Sequence, residues 1–168
     1  EDVNVVGLEP YENLTNCTAA PYASYLLNKE NMTEKELQDA IDLIRLSEDQ
    51  FTFWNTLPNE LGLRMIATPC VFEQYKYQKP VDNSAHNVAM AFLDLYERTG
   101  DKLAFAKAKA LIDNMTVVQN KGNGQMPTTW DFRTPAHDSR RAFWTNCTFT
   151  AVTALLRMDR LTATEDHN

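Results

Sequence analysis

The carboxylates with the most chemical promise are Glu73, Asp82 and Asp131. Hydrolysis of a glycosidic bond uses two carboxyl groups, one as acid and one as base or nucleophile. Glu73 stands in Cys70-Val71-Phe72-Glu73-Gln74-Tyr75-Lys76-Tyr77, among apolar and aromatic neighbours. Such surroundings raise a carboxyl pKa and suit the acid role. The competing reading makes Glu73 a structural, hydrogen-bonded group. Asp82 and Asp138 each precede an apolar periodic run, so helix capping competes with chemistry at both. Arg133, Arg140 and Arg141 offer a local basic pocket or, equally, solvated or paired charges at a helix start.

Other chemistries find little to work with. His86, His137 and His167 lack ligand spacing, and no acidic cluster matches a calcium loop, so no metal or other cofactor is expected. There is no glycine-rich phosphate motif and no G-x-S-x-G elbow. Cys17, Cys70 and Cys147 are widely spaced among apolar or small residues and read as buried free thiols. Asn-x-Ser/Thr triplets begin at Asn13, Asn16, Asn31, Asn114 and Asn146; several lie inside helical patterns and read as coincidental.

Helices must position these groups. A first helix is expected from Thr18 to Asn28, with Pro21 in its first turn and Tyr22, Tyr25 and Leu26 on one face. Thr33 with Glu36 forms a capping box for a second. Its apolar stripe is Leu37, Ala40, Ile41, Ile44 and Phe51, ending near Trp54. A long connection over residues 55–82 holds Pro58, Gly62, Pro69 and Pro80, and connections of that length are often functional. A third helix runs from about Ser84 to Arg98 on Ala85, Val88, Ala89, Phe92 and Leu95. Gly100 suits a left-handed helix end and Asp101 caps the fourth helix, Lys102 to Val118. So short a turn forces antiparallel packing. A polar loop through Asn120-Lys121-Gly122-Asn123-Gly124 leads to Trp130. A fifth helix is expected from about Asp138 to Arg160, burying Ala142, Phe143, Asn146, Phe149, Val152, Thr153 and Leu156.

The expected class is therefore all-α, built from antiparallel helix hairpins in a single domain over residues 1–168. Residues 1–15 read as an irregular N-terminal segment and 162–168 as a polar tail. The 43% apolar share is globular, and the five glycines are too few for a turn-rich β fold. The net charge of −7 argues against nucleic acid and anionic membranes as partners. No apolar run of roughly 18 residues is present, so no membrane span is expected. The start, Glu1-Asp2-Val3-Asn4, lacks a signal peptide and an initiator Met, which reads as a processed or trimmed chain.

The stretch Ala91-Phe92-Leu93-Asp94-Leu95-Tyr96-Glu97-Arg98-Thr99-Gly100-Asp101-Lys102-Leu103, with Ala106 to Asp113 after it, resembles the hairpin repeat of α/α-toroid proteins, the six-hairpin glycosidase-like group. Trp144-Thr145-Asn146-Cys147 before an apolar helix resembles a late helix of such a ring. The likeness spans about residues 33 to 160. The strings Glu73 to Tyr77 and Gly124 to Trp130 are similar to those of secreted, uncharacterised toroid proteins of gut bacteria. A closed ring needs roughly twice the helices read here, so the resemblance implies an incomplete toroid. The missing half, or another copy of the chain, then becomes a partner.

The resemblance also implies a role. It points to a carbohydrate-active protein, glycoside hydrolase or polysaccharide lyase, acting on a polysaccharide or oligosaccharide in a periplasmic or extracellular setting. The ligand cleft lies on loops at one end of such a ring, where aromatic rings stack on sugars. That places Trp54, Glu73, Tyr75, Tyr77 and Asp82 opposite Trp130, Asp131 and Arg133. A lyase of this kind uses tyrosine and histidine for proton transfer, which implies Tyr75 and His86, with Asn87 and Arg133 quenching a uronate charge. The alternative is a non-catalytic helical domain that binds glycan or protein. Whether the chain is an enzyme stays open at this stage.

Overall fold

The computed structural model describes residues 16, 18–54, 68–73, 80–130 and 144–165, with the side chains of 82, 83, 164 and 165 left aside. Over these residues the chain is mainly helical. The helices are α1 (Ala19–Leu27), α2 (Glu34–Phe51), α3 (Asp82–Thr99), α4 (Lys102–Val118) and α5 (Thr145–Glu165). Two short strands, β1 (Thr52–Phe53) and β2 (Cys70–Val71), pair antiparallel between α2 and α3. The purely helical expectation is thus corrected by a small ladder, which forms because the chain leaving α2 is already extended at Thr52.

Local sequence explains most helix ends. Thr33 accepts from the Glu36 amide, and the Glu36 carboxylate accepts from the Thr33 amide, satisfying two otherwise orphaned donors of α2. Gly100 ends α3 with φ +75°, a conformation that disfavours a Cβ. Asp101 Oδ1 then accepts from the Leu103 and Ala104 amides and starts α4. At its other end α3 begins earlier than expected, at Asp82, with Val81 as its N-cap. Asp82 sits in the first turn rather than at the cap.

Packing sorts the helices into two rows. α1 pairs with α2 and α3 with α4; in between, α1 and α5 both pack on α3. The odd helices run the same way, because each even helix returns the chain. The middle helix α3 is packed by α1, α4 and α5, burying Ala85, Val88, Ala89, Ala91, Phe92, Leu93 and Leu95. Each large apolar side chain removed from water there contributes about 1.5–3 kcal/mol.

Two expected faces are corrected. On α1 the buried residues are Ala19, Ala20, Ala23, Leu26 and Leu27, while Tyr22 and Tyr25 stack on each other at 5.9 Å on the outside. The alanines let α1 approach its neighbours closely. On α5 the buried residues are Cys147, Ala151, Ala154 and Met158. Phe149, Val152 and Leu156, expected inside, are exposed, as are Asn146 and Thr153. α5 also continues to Glu165, so residues 162–165 of the expected tail are helical; Thr162 Oγ1 donates to the Met158 carbonyl. Residues 1–15, Ala142, Phe143 and the expected start at Asp138 lie outside the described residues.

Candidate functional site

Two places hold the residues of interest. The first is the end of the bundle away from Gly100, where both long connections arrive. The Phe72 amide donates to the Phe51 carbonyl at 2.8 Å, and the Val81 amide to the Val71 carbonyl at 2.9 Å. Single bridges join Phe72 to Pro80 and Val81 to Thr129. The Asn16 amide donates to the Glu73 carbonyl at 2.7 Å. The backbones beside Glu73 and Trp130 are thereby drawn to one end of the helices.

The side chains there are less available than the backbone. Glu73 is half-buried. Trp130 is 1% exposed and belongs to the core, so in this conformation no sugar can stack on it. The reason lies in its loop: the Met126 amide donates to Thr148 Oγ1, and the Trp144 amide to Thr128 Oγ1, each at 3.3 Å. These bonds hold the segment down on the start of α5. His86 is likewise 1% exposed, and burial pushes its pKa down to about 4. It is a neutral imidazole enclosed in the first turns of α3, out of reach of a substrate in solution.

Trp54 is half-buried and its ring is already engaged. Phe92 packs against it at 6.1 Å between centroids, and Lys107 Nζ stands 5.7 Å from its centroid. Lys107 in turn pairs with Glu48 at 2.5 Å. Among the described residues the Trp54 Nε1 has no hydrogen-bond partner. Tyr75, Tyr77, Asp131 and Arg133 lie outside the described residues, as does the side chain of Asp82. Among the described residues no three His, Cys, Asp or Glu side chains gather as a metal site requires.

The second place is a groove of about 550 Å³ on the common face of α1, α3 and α5. α1 lines it with Pro21, Ser24 and Asn28, and α3 with Asn87, Met90 and Asp94. α5 adds Phe149, Thr150, Thr153 and Arg157. On each helix these positions step by about one turn, so a single stripe faces the groove. Thr150 Oγ1 donates to the Asn146 carbonyl at 2.8 Å and Thr153 Oγ1 to the Phe149 carbonyl at 3.0 Å. Both hydroxyl-bearing side chains line the groove. Asn87 contributes an amide, Met90 an apolar floor, and Phe149 an exposed aromatic edge. Arg157 forms ion pairs with Asp94 and Glu97, so the charge at that end is largely internal.

Of the sequence candidates among the described residues, Asn87 lies in this groove. The others in it were missed for a physical reason: the groove is assembled from three helices that are far apart in the chain. Asp94 in the apolar run of α3 was the one available signal, since a carboxylate there needs a cation from elsewhere. No protein-family model matches the chain, and no curated protein matches it.

Proposed function

We propose that this chain is an arc of an α/α-toroid protein with a carbohydrate-active role, and that the face shared by α1, α3 and α5 binds the carbohydrate. The observation that carries this reading is the groove itself. It combines an aromatic edge, an apolar floor and a set of amide and hydroxyl groups, which is the mixture a neutral sugar ring engages. The two-row arrangement of hairpins supports the toroid part. A periplasmic or extracellular setting suits a polysaccharide ligand. The rest of a ring would come from another copy or another polypeptide segment.

Within this role, hydrolysis rests on Glu73 and Asp131. The lyase scheme is the weaker one, because its histidine is enclosed and neutral. The same burial, with that of Trp130, favours a second reading: binding without turnover.

Titration calorimetry with a panel of neutral and uronate oligosaccharides tests the proposal. Binding should weaken about tenfold, or ~1.4 kcal/mol, in Asn87→Ala and again in Phe149→Ala. Release of reducing ends, lost in Glu73→Gln, would favour the hydrolase; binding with no products would favour the second reading. No binding by any oligosaccharide at millimolar concentration would end both.

A further inference from the structure

The polar loop after α4 holds a residue pair that occurs once in the chain: Asn123 is followed by a glycine, Gly124. Positions 121–125 are all exposed, so solvent reaches both residues. A side-chain amide in this setting can be attacked by the next backbone nitrogen, because glycine has no Cβ to crowd the approach.

Hydrogen bonds of the loop prepare one half of that reaction. The Gln125 amide donates to Asn123 Oδ1 at 3.0 Å. Negative charge develops on that oxygen when a nucleophile adds to Cγ, and an N–H placed there in advance favours the addition. Asn123 Nδ2 donates to Gln125 Oε1 at 2.8 Å, which holds the side-chain amide in one orientation. The other half is restrained. The Gly124 amide donates to the Asn120 carbonyl at 2.8 Å, and Gln119 Nε2 donates to the Gly124 carbonyl at 2.7 Å. The Gly124 nitrogen becomes a nucleophile when this turn opens, and exposed turn hydrogen bonds open at low cost.

We propose that Asn123 converts itself to isoaspartate and aspartate in the folded protein. The Gly124 nitrogen gives its proton to solvent hydroxide and bonds to Asn123 Cγ. The Cγ–Nδ2 bond breaks, and Nδ2 takes a proton from water and leaves as ammonia, which restores the hydroxide. The five-membered succinimide so formed takes up water at either carbonyl. Opening at one side gives aspartate. Opening at the other gives isoaspartate, in which the main chain runs through the former side chain. Either product adds a negative charge to a chain that already carries −7. Isoaspartate also lengthens the main chain by one carbon atom, which takes the Gly124 amide out of register with the Asn120 carbonyl.

Asn120 supplies an internal comparison. Its Oδ1 accepts from the Gly122 amide at 2.9 Å, the same bond from two residues on. The residue after it is Lys121, whose side chain hinders the backbone nitrogen. The two asparagines share the loop and the donor and differ in the residue that follows. This inference stands on the loop alone and does not depend on the carbohydrate reading.

A peptide map of the 168-residue chain, kept folded at neutral and mildly alkaline pH and sampled over weeks, tests the proposal. Trypsin cuts after Lys121 and so puts Asn120 and Asn123 on separate peptides. Asn123 should convert first, to both products, at a rate that rises with hydroxide. Gly124→Ala should slow the conversion by about tenfold or more. The φ of +74° at this position disfavours alanine and loosens the turn, which by itself would speed the reaction, so slowing isolates the added methyl group. Gln119→Ala, which removes a bond closing the turn, should speed it with helical circular dichroism retained. Equal conversion at Asn120 and Asn123 would overturn the proposal. So would aspartate without isoaspartate, or a rate indifferent to Gly124→Ala. A folded chain that stays unconverted while the urea-unfolded chain converts fully would also overturn it, by showing that the bond to Asn120 locks the site.

Discussion

Arg157 of α5 donates to Asp94 Oδ1 of α3 at 2.5 Å, across 63 positions of sequence. The Asp94 side chain is 3% exposed, so its charge depends on that guanidinium. Replacing Arg157 by Met leaves a buried carboxylate without a counter-charge, which costs about 3–5 kcal/mol. Replacing both, Asp94→Leu with Arg157→Met, should recover most of the loss. Urea denaturation of the two variants measures the difference. Equal losses would show that the pair is not energetically buried.

His86 predicts a pH dependence. Its folded-state pKa is depressed from 6.5 to about 4 by burial. Between those values the unfolded chain takes up a proton that the folded chain refuses. Stability from this group is therefore complete above pH 6.5 and falls as pH drops towards 4, by about 3 kcal/mol at most. In a His86→Gln variant the slope of stability across that interval should vanish. A ring resonance of His86 that titrates near 6.5 in the folded protein would contradict the burial.

The turn between α3 and α4 separates two local effects. A methyl group at position 100 would meet nothing within 4 Å, but the φ of +75° strains it. Gly100→Ala should cost about 1–2 kcal/mol through backbone conformation alone. Asp101→Ala removes the acceptor of two amides and should cost about 1 kcal/mol. Gly100→Asn, which tolerates the left-handed region, should be milder than Gly100→Ala when melting temperatures are compared.

Asn114 ties α4 to the long connection, its Nδ2 donating to the Pro69 carbonyl at 2.7 Å. Asn114→Ala should destabilise by about 1 kcal/mol, because the Asn114 amide is buried and the bond itself is part-buried. Limited proteolysis should then cut faster between α2 and α3. An unchanged cleavage rate would mean that the bond does not restrain this connection.

How much of this was legible beforehand depended on range in sequence. The capping box at Thr33 and Glu36 and the Gly100–Asp101 turn are made by neighbours, so residue types reveal them directly. The stripe of α3 was also readable, since three helices pack on it and Ala85, Val88, Ala89, Phe92 and Leu95 are all inside. On α1 and α5 the pattern misled, because each carries alanines on one side and larger apolar groups on the other. Size suggested one face for Tyr22, Tyr25 and Leu26 and burial for Phe149; close helix approach buried Ala23 and Ala151 instead. Trp130 looked like a loop aromatic for a ligand. Its burial follows from the Met126 amide donating to Thr148 and the Trp144 amide donating to Thr128, contacts that no local pattern announces.

The buried amides have a consequence for how the protein must be made. Asn16 and Asn114 each begin an Asn-x-Thr triplet, yet they are 1% and 4% exposed. An oligosaccharyltransferase acts on the emerging chain, before such positions are enclosed. A glycan on Asn114 would then occupy space between α4 and Pro69, and one on Asn16 would displace Ser47, whose hydroxyl donates to Asn16 Oδ1 at 2.7 Å. Passage through a eukaryotic secretory route would thus compete with folding. A bacterial host without that modification, or Asn16 and Asn114 protected by Thr18→Ala and Thr116→Ala, leaves the folding path open.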